Sequence, residues 1–227
     1  ANMVATIADR TLTPRSFHKL PSAQGATENC VAHNGNIIPV PGRDLMVQSW
    51  YQGGVSVMDF TDPMKPVEIA YFDRGPISAE RLYVGGSWSA YWFNGRVYSS
   101  EIARGLDVIK LVPSEQLSAA EIAAAEAIVA EEINPQLQTR VTWADTPDVA
   151  ASYVDQLART DGIEDAVEAR VRTVIDGWRG GSADKRAAGR LSTELATAPE
   201  GATDATKARL TALSALGLPV PPGFTIT

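Results

Sequence analysis

One cysteine and two histidines in 227 residues leave little material for metal or thiol chemistry. Cys30 cannot close a disulfide within the chain. In a secreted protein an odd cysteine pairs with another chain or fragment, and in a cytosolic one it is a small buried residue; both alternatives stand at the level of the residues. His18 and His33 are the only imidazole bases, and no Gly-x-Ser-x-Gly turn surrounds a serine, so a Ser-His-Asp hydrolase finds no support. Gly180-Gly181-Ser182 lacks the lysine and the spacing of a phosphate-binding loop. No apolar run approaches the roughly 20 residues that a membrane-spanning helix needs, so no membrane span is expected. Ala1 opens directly on strand-like sequence, with no leader pattern before it. A surplus of positive charge is also missing. The net charge is −7, which makes nucleic acid an unexpected partner.

That charge is unevenly placed. Residues 1–113 carry ten Lys/Arg and ten Asp/Glu, whereas residues 114–227 carry ten and seventeen. Twelve of the sixteen aromatic residues fall in the first stretch. The two differ enough to predict two folding units, 1–113 and 114–227.

The first is patterned for strands. Val4–Ile7 and Arg15–Leu20 flank a turn at Asp9-Arg10. Val55–Phe60 and Val67–Phe72 alternate apolar and polar residues around Thr61–Pro66, which predicts two strands with one buried face each. A repeat then emerges. Asn29–Ile37 aligns with Ser89–Val97, and in each an Asn-Gly dipeptide (Asn34-Gly35, Asn94-Gly95) marks a hairpin turn, because both residues tolerate positive φ. Gly54–Phe60 aligns with Gly105–Leu111. A hairpin plus a third strand, once continued by a fourth, is the pattern of β-propeller blades. About two blades are present. A closed propeller needs at least four, so the rest is expected from a preceding part of the same propeller or from a partner chain that completes it.

After Leu111 the period changes from two to about 3.6 residues. Ser118 and Glu121 form a capping box before a helix with Ile122, Ala125, Val129 and Ile133 on one face, stopped by Asn134-Pro135. Thr146-Pro147 opens a second helix carrying Tyr153, Val154 and Leu157, and Gly162 ends it. Ile163, Val167, Val171, Val174 and Trp178 form the stripe of a third, ended by Gly180-Gly181. Ser182 caps a fourth with Leu191 and Leu195, closed by Pro199–Gly201. A last helix carries Leu210, Leu213 and Leu216, and an extended tail runs from Pro219 to Thr227. The predicted class is β + α: C-terminal blades of a β-propeller, incomplete alone, followed by an all-α bundle of four or five helices.

On these residues the first stretch resembles the C-terminal part of the LVIVD-repeat family of bacterial proteins. The motifs are Glu28–Gly35, Gly53–Pro63, Tyr71–Ile77 and Ser100–Val108. The resemblance implies a propeller-like, exported or cell-surface protein, extracellular or in the cell envelope, with several hundred preceding residues. It also implies a disulfide between Cys30 and an upstream cysteine. Tyr153, Leu157, Gly162, Ile163, Val171 and Leu191 are similar to the FIMAH type of small helical module, which implies an accessory domain without catalytic residues.

Candidate site residues are few. Glu28, His33 and Asn34 form the best polar cluster, and Glu101 and Arg104 from the next repeat could join it to bind a metal or small ligand in a concave mouth. The structural alternative has His33 satisfying backbone groups and Glu28 bridging Arg104. Two ligands do not close a metal site, and no cofactor is named by the residues. Trp88, Tyr91, Trp92 and Phe93 could stack on a sugar or pack between blades. Glu131-Glu132 and Glu164-Asp165 are a solvated face. The expected function is a non-catalytic scaffold for binding or assembly. The alternative is a metal- or small-ligand-dependent enzyme or binder acting around His33.

Overall fold

The computed structural model describes residues 1–216 apart from Gln138 and Ala183. The tail expected from Pro219 and the helix stop at Gly217 lie outside the described residues. The described residues form a mixed β + α fold, with three antiparallel sheets and five α-helices. Among the described residues no sheet closes on itself, and no helix is long and apolar enough to cross a membrane. The chain divides into two compact units. One comprises Ala1–Leu117 with Ala125–Val141, the other Ser118–Ala124 with the described residues from Thr142 onward.

The first unit begins with a two-stranded ribbon, β1 (Asn2–Ala8) and β2 (Thr11–His18), joined at Asp9 and Arg10, which both take positive φ. A four-stranded meander follows: β3 (Gly35–Ile38), β4 (Leu45–Ser49), β5 (Val55–Asp59) and β6 (Val67–Phe72). A three-stranded meander comes next: β7 (Ser87–Phe93), β8 (Arg96–Glu101) and β9 (Gly105–Ile109). Directly paired residues share a sheet face, so the register sorts the side chains. Asn36, Val47 and Val57 form one row of the first meander, and Asn36 Oδ1 accepts the Trp92 N–H of β7 at 3.0 Å. That face therefore looks toward the second meander. On the reverse face the Gln48 and Asn2 side-chain amides bond each other, and Ser16 Oγ donates to the Pro63 carbonyl at 2.6 Å. The first sheet is thus layered between the ribbon and the second sheet. Ile38, Leu45, Val47, Val57, Ala90, Trp92 and Val97 fill its core.

Two expectations for these strands need correction. β5 is buried on both faces, Ser56 and Met58 as well as Val55 and Val57, because a layer lies on each side, whereas the edge strand β6 has no buried face, with Val67 and Tyr71 exposed. Asn34-Gly35 is not a turn. Asn94 and Gly95 have φ of 45° and 81° and close the β7–β8 hairpin, but Gly35 starts β3 with no positive φ. Residues 29–34 run alongside the end of β4, His33 N donating to Ser49 O and Ser49 N to Asn34 O, both at 2.9 Å. Glycine stands at 35 for space: a Cβ there would lie 2.8 Å from the Val47 carbonyl oxygen.

The helices are α1 (Ala119–Glu126), α2 (Pro147–Arg159), α3 (Asp165–Arg179), α4 (Lys185–Leu195) and α5 (Asp204–Ala215). The capping box is reciprocal: Ser118 N donates to Glu121 Oε2 at 2.7 Å and Glu121 N to Ser118 Oγ at 3.1 Å. Glu121, fully buried, also receives Arg159 at 2.6 Å. Thr146 Oγ1 caps α2, accepting Val149 N at 3.2 Å. Val154, Leu157, Val171, Val174, Ile175, Leu191, Leu195, Leu210 and Leu213 make the core of the second unit.

Here too the sequence reading is corrected twice. α1 stops at Glu126 instead of reaching Ile133, and Val129 is 73% exposed. β-branched Ile128 and Val129 weaken the helix, and Asn94 captures the backbone beyond them, bonding both Ala130 N (2.9 Å) and Ala130 O (3.0 Å). α4 is capped by Asp184, which accepts from Arg186 N and Ala187 N at 2.9 and 3.0 Å; the Ser182 hydroxyl instead faces Gly177 O.

Candidate functional site

The tight turn Trp50–Gly54 brings β4 and β5 together and sets Tyr51 against β7. Tyr51 N donates to Ser87 O at 3.0 Å and Ser87 N to Tyr51 O at 2.7 Å, a bridge between the two sheets. Gly54 and Gly86 have positive φ, and neither leaves room for a side chain: a Cβ on Gly86 would fall 1.9 Å from the Tyr51 carbonyl carbon. Beside this junction lies a cleft of about 270 Å³, counting space open to solvent.

Charged groups line it in pairs. Glu101 is buried; its Oε1 accepts Gly86 N at 2.5 Å and lies 3.9 Å from Arg104 Nη1, too far for a hydrogen bond. Glu101 Oε2 is buried with no hydrogen-bond partner among the described residues. Arg74 meets Asp107 at 2.5 Å and its guanidinium lies over the Phe72 ring, 5.0 Å from the centroid. Asp73 accepts Gly75 N at 2.8 Å. Arg74, Asp73 and Asp107 were not singled out from the sequence. Their signal was position: Asp73-Arg74 follow β6 and Asp107 lies in β9, whose registers place them on facing sheets.

The other sequence candidates are drawn elsewhere. His33 Nδ1 lies 2.5 Å from the Trp88 carbonyl oxygen, which fixes the proton on that nitrogen in the neutral ring. Its ring is 5.1 Å from Tyr51 and 4.3 Å from Trp88, centroid to centroid. Asn34 works through its backbone carbonyl, which accepts both Ser49 N and Ser49 Oγ, while its buried Oδ1 has no hydrogen-bond partner among the described residues. Glu28 folds back on Gly25 N at 2.8 Å and does not meet Arg104, which faces Glu101 instead. Glu101 and Arg104 are therefore brought together. Among the described residues neither His33 nor Glu28 makes a hydrogen bond or ion pair with Glu101, and no three of His, Cys, Asp and Glu gather where they could hold a metal ion.

Cys30 is buried with Leu20 and Trp50. Burial, with Glu28 and Asp73 nearby, pushes its thiol up to about 11, so at neutral pH it is a thiol and not a nucleophilic thiolate. His18 is buried, its ring 6.2 Å from that of Trp50, and burial lowers its pKa.

The aromatic run of β7 does not form a single stacking platform. Trp92 is buried toward the first sheet, whereas Tyr91 and Phe93 lie on the opposite face with Tyr98, Val108 and Leu106. That outer face is only partly covered: Leu106 is 64% exposed and Val108 57%, Tyr91, Phe93 and Tyr98 are half-buried, and Arg96 on the same face meets Glu126 at 3.2 Å. The chain matches no protein-family model, and it has no significant match among curated proteins.

Proposed function

We propose that this chain is a structural part of a propeller-like scaffold of the LVIVD-repeat kind, exported or at the cell surface, whose work is binding or assembly and not catalysis. The observation that carries this reading is the layering of the first unit. The ribbon, first sheet and second sheet succeed one another in sequence order, each on the outer face of the one before. The last sheet leaves Leu106 and Val108 exposed on its outer face, with Tyr91, Phe93 and Tyr98 half-buried beside them. An apolar face of this make-up marks an interaction site. In this reading, further blade-like sheets from the same polypeptide or from a partner cover it, and the helical unit is an accessory module like those of secreted proteins. The side-chain chemistry supports it. Paired charges in the cleft and, away from it, a thiol held protonated and a histidine tied to a carbonyl suit recognition better than bond making.

Lys110 is exposed next to this face, which provides the test. Lysine cross-linking of the protein in its native source, read by mass spectrometry, should join Lys110 to strand-forming peptides outside residues 1–227. Recovery of Lys110 linked only within its own copy, from a monodisperse native species of this chain alone, overturns the scaffold reading.

A further inference from the structure

The two ends of the layered unit are both unfinished, and they differ in charge. At one end is the ribbon. Its inner side, with Val4 and His18 buried and Asn2 on Gln48, lies on the first sheet. Its outer side shows two directly paired couples, Met3 with Phe17 and Ile7 with Leu12, all of them exposed. Residues 1–20 carry Arg10, Arg15 and Lys19 against Asp9. At the other end is the outer face of the second sheet. The Asn94 clamp on Ala130 sets exposed Glu131 and Glu132 beside the β7–β8 turn at the rim of that face; Glu126 is already tied to Arg96 at 3.2 Å, so Glu131 and Glu132 supply the acidic charge.

We propose that a second copy of this chain occupies this outer face, its β1–β2 ribbon lying on the second sheet of the first copy. The inference rests on the scaffold reading and names the partner. It continues a contact the molecule already makes: the same ribbon covers the back of the first sheet through one side and keeps an apolar second side. Basic residues of the ribbon meet the acidic rim, which orients the pairing. The contact joins two different surfaces, so it is head to tail and leaves one ribbon and one face open after each addition. Association therefore does not stop at a dimer.

Sedimentation equilibrium of the whole chain over a range of concentrations tests this. The weight-average mass should rise steadily beyond two copies, and added salt should lower it. Leu106→Lys blocks the face and Phe17→Lys blocks the ribbon, and each should weaken association by at least about tenfold. Both positions are exposed, so circular dichroism should show the wild-type fold; Val108→Lys replaces Leu106→Lys should the latter fail to fold. An equimolar mixture of the two variants retains one intact face and one intact ribbon, and should form a 1:1 dimer and nothing larger. A monomeric wild type at every concentration overturns the proposal, as does dimerisation of Phe17→Lys alone or a mixture that stays monomeric. If the wild type is monomeric while Lys110 still links to foreign strand peptides in the native source, self-stacking falls and the scaffold reading stands.

Discussion

Val57 and Val108 occupy the same place in a sequence repeat, yet one is 3% exposed and the other 57%. Their strands, β5 and β9, share the pattern glycine, apolar, polar, apolar, and both pair antiparallel with the preceding strand. The difference lies outside the repeat. β5 has β6 at its edge and a layer against each face, while β9 is an edge strand with one covered face. The same valine is a core residue or a surface residue according to what was stacked beside it. Burial in this architecture belongs to the neighbour as much as to the strand.

The sharpest way to break that comparison is two positions further along the repeat, at Asp59 and Lys110. Arg43 is almost fully buried and meets Asp59 at 2.6 Å, with Gln116 O at 2.8 Å. Asp59→Ala leaves a buried guanidinium without its carboxylate and should cost about 3–5 kcal/mol in urea unfolding. Lys110→Ala, at an exposed site, should stay within about 0.5 kcal/mol. Equal effects would mean that the two sheets are equally enclosed.

The same pair has a pH signature. Burial pushes the Asp59 carboxyl up, but the Arg43 guanidinium and the bonds from Thr61 outweigh it and hold the group below the usual range. A depressed folded value gives stability that is present above the unfolded value of about 3.9 and lost as pH falls through the folded one. Burial also depresses His18, so a milder loss should begin below about 6.5. Thermal melts between pH 8 and strongly acid solution should show both steps, and Asp59→Asn should remove the lower one.

Next in size, Val57→Ala should cost about 1.5–3 kcal/mol and Val108→Ala less than about 0.5 kcal/mol by the same unfolding measurement. Association that buries Val108 would raise the second value with protein concentration. The two Asn-Gly dipeptides give a smaller pair. Gly95→Ala forces a left-handed turn residue and should cost about 1 kcal/mol. Gly35→Ala meets the Val47 carbonyl and should cost about 1–3 kcal/mol, with faster amide exchange confined to β3 and β4. Smallest of all is metal removal. A chelator should leave the thermal midpoint unchanged, and His33→Ala should leave metal content at trace; a stoichiometric metal lost on that substitution would restore the metal-dependent alternative.

Strands, most caps and most helix limits were legible because they are set within a few residues: the Ser118–Glu121 box, Thr146-Pro147, the Asn94-Gly95 turn. What the sequence could not show was anything fixed from a distance. Asn34-Gly35 reads as a turn, but β4 lies close enough to hold the chain extended. Val129 and Ile133 continue a helical period, but Asn94, more than thirty residues earlier, takes the backbone there. At the cleft, Glu101 and Arg104 were candidates from the sequence, but Arg104 was expected to bridge Glu28 and faces Glu101 instead, and Arg74 and Asp107 become partners only when two sheets face each other. His33 was read either as a ligand, clustered with Glu28 and Asn34, or as satisfying backbone groups; its Nδ1 bonds the Trp88 carbonyl, which belongs to the next repeat.

The turn at Asp9 and Arg10 bears on time more than on energy. Both residues sit at positive φ, the geometry that Asn-Gly supplies with least strain, and Arg10 is a side chain poorly suited to it. A ribbon closed by such a turn should exchange its backbone amides faster than the sheets beneath it. Docking through its outer face, as proposed above, would then be timed by how often the hairpin is shut. Exchanging Asp9-Arg10 for Asn-Gly would alter that duty cycle without touching one residue of the docking side.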